Sequence, residues 1–368
     1  MPGVVLLSVP PGPAWVDALH RIWDGGDAVA PVDPVAPATH RSQLLAAIRP
    51  TAVVEADGAR RTLEGGEPSA EGDAVVMTTS GTSGSPKAVV LTRDAVEAAG
   101  RSTAAGCGAD ERSTWLACLP LHHIGGFGVV ARALVTGARV IVQAGVDADA
   151  VRAALADGAS HTSLVPAALD RVPVERFERV LLGGSRIPHD RPGNCIATYG
   201  MTESGGGVVY DGRPLPGVEV RVGDGGEVLL RSPTLLRCYR DGRVPLDAEG
   251  WYPTGDVGRI DDGVLTVHGR SDDVIVTGGE KVWPAPVEDL LRTHPAVADV
   301  AVVGRPDERW GERVTAVVVP VTPGEAPSLD ALRELVKAAL PAYAAPHTIE
   351  VVDALPRTAL GKVRRRAV

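Results

Sequence analysis

Aromatic side chains make up only 4% of the 368 residues, so a packed interior has to be filled mainly by Ala, Val and Leu. Cysteine is also scarce. Cys107, Cys118, Cys195 and Cys238 stand far apart with no C-x-x-C pair, which predicts neither a disulfide framework nor a zinc site and fits a reducing cytoplasm. Nowhere do about 18 apolar residues run together. The opening MPGVVLLSVPPGP has no basic residue ahead of its short apolar run, so neither a membrane span nor a secretory leader is expected. Positive charge is in deficit: 37 Lys and Arg against 46 Asp and Glu give a net charge of −9. That balance argues against a general affinity for nucleic acid or anionic membrane. The single basic run, Arg364-Arg365-Arg366, reads as a solvated tail.

What is present points to an α/β protein of two domains. A chain of this length exceeds what one hydrophobic core usually organises, and 44% hydrophobic content rules out general disorder. Short Val-rich runs predict strands at 74–77, 89–91, 114–119, 139–142 and 179–182, and Ala-rich amphipathic stretches predict helices at 94–106, 148–157 and 167–172. Between about 206 and 267 the texture turns to short β runs with Gly and Pro turns, which predicts a smaller β subdomain. Beyond it, helices near 286 and over 328–340, a strand pair at 297–303 and 314–319, and a last strand at 349–352 form a separate α+β unit. The charged, Gly-containing segment 269–273 between apolar strands suggests a hinge there, giving domains 1–270 and 271–368.

Chemistry concentrates in a few segments. Thr78-Thr79-Ser80-Gly81-Thr82-Ser83-Gly84-Ser85-Pro86-Lys87 offers backbone N–H groups, hydroxyls and one ammonium, the ingredients of a phosphate cradle. It is not a Walker A loop, because its Lys follows Pro and leads into a strand rather than opening a helix. Leu181-Leu182-Gly183-Gly184-Ser185 precedes Tyr199-Gly200-Met201-Thr202-Glu203. An aromatic there can lie on an adenine face, the Thr can donate to a phosphate, and the carboxylate can hold Mg²⁺; read alone, the pentapeptide is equally an ordinary loop. Asp256 in WYPTGD and Arg270 in HGRSDD flank one predicted hairpin, where a carboxylate and a guanidinium can converge on a ribose or simply pair with each other. Lys362, in PRTALGK near the C-terminus, would by itself count as a solvated lysine.

Together and in this order, TTSGTSGSPK, YGMTE, WYPTGD, GRSDDVIVTGGEKVWP and LPRTALGK resemble the adenylate-forming superfamily of acyl- and aryl-CoA ligases, luciferases and non-ribosomal adenylation domains. The resemblance runs from Gly72 to Val363. It implies a large N-terminal domain with α/β and β-rich subdomains and a small mobile C-terminal α+β domain. It implies ATP, Mg²⁺ and coenzyme A as partners of a small carboxylic acid. By similarity, Thr79, Ser80, Gly81, Thr82, Ser83, Gly84 and Lys87 hold the β- and γ-phosphates, and Gly183 and Gly184 line the nucleotide. Tyr199 stacks on adenine, Thr202 meets the α-phosphate and Glu203 is the Mg²⁺ carboxylate. Asp256 and Arg270 hold the ribose, and Lys362 is the catalytic lysine between substrate carboxylate and α-phosphate. Asp272 occupies the hinge position, and Gly278 and Gly279 belong to the segment brought in for pantetheine. The electrostatics agree: attack of a carboxylate on phosphorus brings anions together, so such a site must supply positive charge and orientation.

The acyl pocket of that superfamily is built around Leu119-Pro120-Leu121-His122-His123-Ile124-Gly125-Gly126-Phe127-Gly128. No Asp stands at its start to pair with a substrate amine, which disfavours amino acids. P-L-x-H-I-x-G resembles the o-succinylbenzoate–CoA ligases of menaquinone biosynthesis, with His123 at the position of their histidine and Ser185 on the substrate side. Arg132 matches an arginine those ligases use for a second carboxylate. Gly128, one turn earlier, leaves room on the same helix face. The alternative reading is an arginine favoured by the dipole at a helix C-terminus. Only about seventy residues precede the phosphate loop, resembling a compact form of these ligases. Another aryl- or acyl-CoA ligase, an enzyme loading a carrier protein and a non-catalytic nucleotide-binding relative remain as rivals, and a homodimer stays open.

Overall fold

The computed structural model describes residues 1–79, 86–185, 187–188, 190–357 and 363–368, without the side chain of Arg366. The assignments made above to Ser80, Gly81, Thr82, Ser83, Gly84 and Lys362 lie outside the described residues. The chain forms two compact units, Met1–Val220 with Leu230–Tyr252, and Arg221–Leu229 with Pro253–Val368.

The first unit contains two seven-stranded sheets. In spatial order the first runs Cys238–Tyr239, Lys87–Thr92, Asp73–Thr79, Ala28–Pro31, Val4–Ser8, Ala52–Glu55, Arg60–Thr62. Its inner strands are parallel and buried along their length, as expected of Val-rich strands covered on both faces. Asp73–Thr79 and Lys87–Thr92 pair antiparallel, with Thr79 opposite Lys87, so the hydroxyl-rich segment joins two strands of a hairpin.

The second sheet runs Arg213–Pro214, Gly206–Tyr210, Cys195–Met201, Arg179–Leu182, His161–Leu164, Thr114–Ala117, Arg139–Val142. Five neighbouring strands from Cys195–Met201 to Arg139–Val142 are parallel. Helices Arg93–Cys107 and Ile124–Thr136 belong to this unit. The first starts on Thr92, whose hydroxyl accepts from the Ala95 N–H at 3.1 Å, and stops at the left-handed Gly108; both are favourable end chemistries.

In the second unit the strands Glu280–Val282, Ile275–Thr277, Gly311–Pro320 and Val297–Asp307 form a sheet, with Thr348–Val351 parallel to Gly311–Pro320. Helices Pro284–Arg292 and Leu329–Lys337 bury Val287, Leu291, Leu332 and Val336 in the same core as Val300, Val302 and Val318. The hairpin Tyr252–Asp261/Val264–Arg270 pairs antiparallel, with Asp256 opposite Arg270.

Most expected elements are present within a residue or two, but three expectations need correction. The helix expected at 167–172 is the 3₁₀ segment Pro166–Arg171; Val172 precedes Pro173 and is extended, which stops the run before an α-helix can form. The β-rich stretch 206–267 is not one subdomain. Gly206–Tyr210 and Arg213–Pro214 extend the second sheet and Cys238–Tyr239 edges the first, because turn-rich sequence specifies strands but not their partners. The basic tail is not simply solvated, since Arg365 pairs with Glu288 and Asp273.

Candidate active site

In the first unit the site is assembled where parallel strands end. Thr114–Ala117 leads into His122 and His123, Arg179–Leu182 into Gly183, Gly184 and Ser185, and Cys195–Met201 into Thr202 and Glu203. Carboxyl ends of parallel strands are the usual place for ligands in open α/β sheets. Gly183 lies against strand Cys195–Met201: a Cβ there would sit 2.7 Å from Thr198 Oγ1.

Tyr199 is half-buried and pairs with Val209, and the register slips between Tyr199 and Gly200. Such a bulge re-aims the chain beyond it. Gly200 is required there, since a Cβ would lie 1.9 Å from the Gly206 carbonyl oxygen. The following 3₁₀ turn Thr202–Ser204 is fixed by Ser204, whose Oγ accepts from the Met201 N–H at 2.9 Å and donates to the Gly206 carbonyl at 2.8 Å. Glu203 is thereby held in place from its backbone outward, and its carbonyl accepts the Leu236 N–H at 2.8 Å.

The Glu203 carboxylate has a partner that the sequence did not advertise. Tyr239 donates its hydroxyl to Glu203 Oε1 at 3.0 Å and lies 3.3 Å from the Tyr252 hydroxyl. Lys87 Nζ stands 5.9 Å from the Tyr239 ring centroid, within cation–π range. One ring thus connects the lysine that closes the phosphate-loop hairpin with the candidate metal carboxylate. Burial pushes the Tyr239 phenol up to about 12, and its proximity to Glu203 also raises it, so it remains a donor at neutral pH. Tyr239 lies on a two-residue strand between Arg237, which grips buried Asp73 at 2.8 and 2.9 Å, and Arg240, which donates to the carbonyls of Ile48 and Pro68. Local sequence gives no periodic signal for so short a strand; the Arg-Cys-Tyr-Arg alternation is its one hint.

Among the described residues Glu203 Oε2 accepts no hydrogen bond, and no cluster of three or more His, Cys, Asp or Glu is placed to cage a metal. One free carboxylate oxygen fits Mg²⁺, which usually takes one or two carboxylates and completes its shell with phosphate oxygens and water. The Thr202 hydroxyl likewise has no partner among the described residues, leaving it available to a phosphate.

The acyl side is built on helix Ile124–Thr136. His122 and His123 stack with ring centroids 4.5 Å apart. Burial lowers both, His123 to about 4 with a further contribution from His122, so both imidazoles are neutral at physiological pH. Arg132 is 9% exposed. Its Nη1 donates to Ser163 Oγ at 3.2 Å and its guanidinium lies 4.8 Å from the Trp115 ring centroid. No carboxylate pairs with it among the described residues. Burial lowers its pKa, offset in part by Tyr210 and Cys107. A Cβ at Gly128 would stand 3.3 Å from Arg132 Nη2, so the glycine does make room on the shared face. The dipole alternative is not supported, because Arg132 turns inward to Ser163 rather than to the last carbonyls of its helix. A narrow cavity lined by Leu91, Ala99, Ile124, Phe127, Gly128 and Arg132 also reaches Gly205, two residues beyond Glu203.

In the second unit Arg270 Nη1 donates to the Thr254 carbonyl at 2.7 Å and to Asp256 Oδ1 at 3.3 Å. Gly255 has φ 68°, and a Cβ there would lie 2.8 Å from Arg270 Nη2, so the glycine of WYPTGD is what lets the guanidinium close. Asp272 sits in the 3₁₀ turn Ser271–Asp273 directly after Arg270. Gly278 and Gly279 form the two-residue turn between Ile275–Thr277 and Glu280–Val282, with φ 59° and 86°, the chirality tight hairpin turns demand. The two groups of site residues belong to separate units.

Two family models match: that of AMP-binding enzymes over residues 55–240 and that of the AMP-binding enzyme C-terminal domain over 286–362. The chain belongs to the AMP-binding enzyme family, the adenylate-forming superfamily of the sequence reading. Among its relatives a probable 2-succinylbenzoate–CoA ligase of Mycobacterium tuberculosis is 38% identical, covering 98% of this chain and 97% of that protein. An indoleacetate–CoA ligase of Aromatoleum aromaticum is 34% identical over 79% of this chain and 66% of its own. Among solved structures, the o-succinylbenzoate CoA synthetase of Bacillus subtilis with its acyl-adenylate intermediate superposes with a TM-score of 0.86 at 25% identity, covering 99% of this chain and 87% of that one. The mixed α/β fold with a distinct C-terminal domain is the one expected.

Proposed function

We propose that this protein is a 2-succinylbenzoate–CoA ligase of menaquinone biosynthesis, working in the cytoplasm. The carrying observation is Arg132. A guanidinium this deeply buried with one hydroxyl and one ring for company is incompletely satisfied, and a second carboxylate on the substrate supplies the missing bidentate partner. A monocarboxylate leaves that charge bare.

The reaction has two halves. In the first, an oxygen of one substrate carboxylate bonds to the α-phosphorus of ATP, the bond to the bridging oxygen breaks, and pyrophosphate leaves. Lys87 and the segment before it hold the outer phosphates, Thr202 donates to the α-phosphate, and Tyr199 lies on adenine beside Gly183 and Gly184. Asp256, fixed by Arg270, receives the ribose hydroxyls. Lys362 reduces repulsion between carboxylate and phosphate. Mg²⁺ on Glu203 would supply further charge neutralisation at the phosphates. Tyr239 keeps Glu203 Oε1 occupied and thereby turns Oε2 outward. Neutral His123 and Ser185 face the acyl group without adding charge to it.

In the second half the coenzyme A thiol attacks the acyl carbon, gives up its proton, and AMP departs. A hinge at Asp272, directly after the expected boundary at 270/271 and within the second compact unit, serves this step, exchanging the Lys362 segment for that of Gly278 and Gly279. AMP release with coenzyme A, measured over a panel of aromatic and aliphatic acids, tests the assignment. Preference for 2-succinylbenzoate supports it; preference for a monocarboxylic arylacetate would assign the chain to another aryl-CoA ligase, and turnover only with a holo-carrier protein to carrier loading.

A further inference from the structure

Helices Arg93–Cys107 and Ile124–Thr136 pack on each other within the first unit, and a glycine decides how closely. A Cβ at Gly100 would stand 3.1 Å from the Val135 side chain and 3.3 Å from the Arg132 Cα, so a larger residue there would push the helices apart. Thr103, three residues on, lies on the same helix face as Gly100 and is 4% exposed. It lines the narrow cavity beside Arg132, together with Gly100, Gly128 and Ile124. Thr103 and Arg132 are the two polar side chains among the described lining residues, and the rest are apolar or glycine.

The Thr103 hydroxyl is oriented from behind. Tyr210 donates its hydroxyl to Thr103 Oγ1 at 3.3 Å. The Tyr210 ring is itself clamped, since Cβ atoms at Gly106 and Gly207 would each lie 3.2 Å from it. Burial raises the Tyr210 phenol above its ordinary value, with Arg132 opposing, so it stays a donor at neutral pH. With its oxygen accepting from Tyr210, Thr103 has one proton left to give, and no acceptor receives it among the described residues. Arg132 is in the same condition: Nη1 donates to Ser163, while Nη2, the nitrogen next to Gly128, has no acceptor among them. Buried donors without acceptors are costly, and here two of them, one charged, border the same space. At about 20 Å³ the cavity admits a slender polar group rather than a ring, since one water needs about 10–15 Å³. A carboxylate offers each donor its own oxygen and neutralises the guanidinium, which water does not.

We infer that Thr103 is a further binding residue for the substrate's second carboxylate, donating to it beside Arg132, and that Tyr210 is the positioning residue that aims it. This role rests on the proposed reading of the substrate as a dicarboxylate. The second carboxylate then ends in the space between the two helices, and the other remains for activation.

The test compares 2-succinylbenzoate with a benzoate lacking the second carboxylate, following AMP release in the full chain. Thr103→Val removes the hydroxyl with little change of shape and should raise KM for 2-succinylbenzoate by about tenfold, the lower end for a hydrogen bond to a charged group. Its kcat and its KM for the monocarboxylate should stay within about twofold of wild type. Thr103→Ser, which keeps the donor, should hold both KM values near wild type. Tyr210→Phe should raise KM for the dicarboxylate alone by about threefold and leave kcat unchanged. The double variant Thr103→Val/Tyr210→Phe, which strands no phenol, should match Thr103→Val rather than the product of the two effects. Equal losses with both acids would make the pair merely structural, and an unchanged KM for 2-succinylbenzoate would leave the cavity to water; either result overturns the assignment. Arg132→Ala runs alongside. If it loses 2-succinylbenzoate selectively while Thr103→Val does not, only the role of Thr103 fails; if wild type does not favour the dicarboxylate, the proposed function fails and this role with it.

Discussion

Glu203 and Arg132 lie in the same unit and are both left short of partners, in opposite ways. Among the described residues Glu203 keeps one oxygen bound to Tyr239 and one bare, at the end of a strand where phosphates and a divalent cation are expected. Arg132 is buried under Trp115 with a single hydroxyl acceptor. The carboxylate can remain hydrated until nucleotide arrives, so its openness is inexpensive. The guanidinium has little water, so its incompleteness makes it selective. Under the proposed function, the difference separates what is done to every acid from which acid is preferred.

The largest break in that comparison comes from the nucleotide side. Lys362→Ala should reduce acyl-adenylate formation by about 10²–10³-fold, the usual loss for a group aimed at transition-state charge, with every acid alike. Thioester formation from pre-made adenylate should survive, as half-reaction assays would show. Asp272→Pro should give the reverse pattern, retaining pyrophosphate exchange while losing thioester synthesis, because proline fixes φ at the proposed hinge. Full thioester activity in that variant would place the hinge elsewhere.

Arg132→Ala sharpens the comparison from the acyl side. It should raise KM for 2-succinylbenzoate by about 10- to 150-fold, corresponding to about 1.5–3 kcal/mol for a charge-assisted hydrogen bond. A benzoate lacking the second carboxylate should be little affected. Thermal melting adds a check: removing an incompletely paired buried charge should leave Tm level or higher, whereas a lower Tm with equal KM changes would make Arg132 structural.

Tyr239→Phe should lower adenylation with all acids by about fivefold, from one lost hydrogen bond, and raise the Mg²⁺ concentration needed for half-maximal rate. An unchanged Mg²⁺ dependence would show that the hydroxyl does not orient Glu203. The smallest effect concerns His123. Its value in the folded chain is about 4 against 6.5 for an ordinary histidine, so between these pH values the unfolded chain binds a proton that the folded one refuses. Stability therefore falls as pH drops through that window and is unaffected by this group above it. Urea midpoints for wild type and His123→Gln should converge toward about pH 4–5 relative to neutral pH; parallel curves would remove His123 from the acid response.

Fold and site were legible in the sequence to different depths. Strands buried on both faces announce themselves through apolar runs, and Glu203, Asp256 and Arg270 sit in short segments whose glycines are dictated by backbone geometry, as Gly200 and Gly255 show. Arg132 was singled out by its match to an arginine of the resembling ligases, with Gly128 one turn earlier as local support. Tyr239 had only the Arg-Cys-Tyr-Arg alternation to mark it, because its partner Glu203 is distant in sequence. Long-range pairing leaves no local period. The assignment of β-rich segments to sheets failed for the same reason.

The strand that carries Tyr239 has a second consequence. Cys238–Tyr239 is one outer edge of the first sheet, and the other is Arg60–Thr62. The Val-rich strands between them are paired on both sides, so only these two edges carry unpaired backbone that could be a template for another copy of the chain. At one edge Arg60 and Arg61, paired with Asp27 and Glu55, present hydrated charge to any approaching strand. At the other, a strand only two residues long is pinned by Arg237 and Arg240 and offers almost nothing to extend. The residues that bring the tyrosine to Glu203 are thus also those that cap the sheet, so substitutions at Arg237 or Arg240 should show up as aggregation as well as slow turnover.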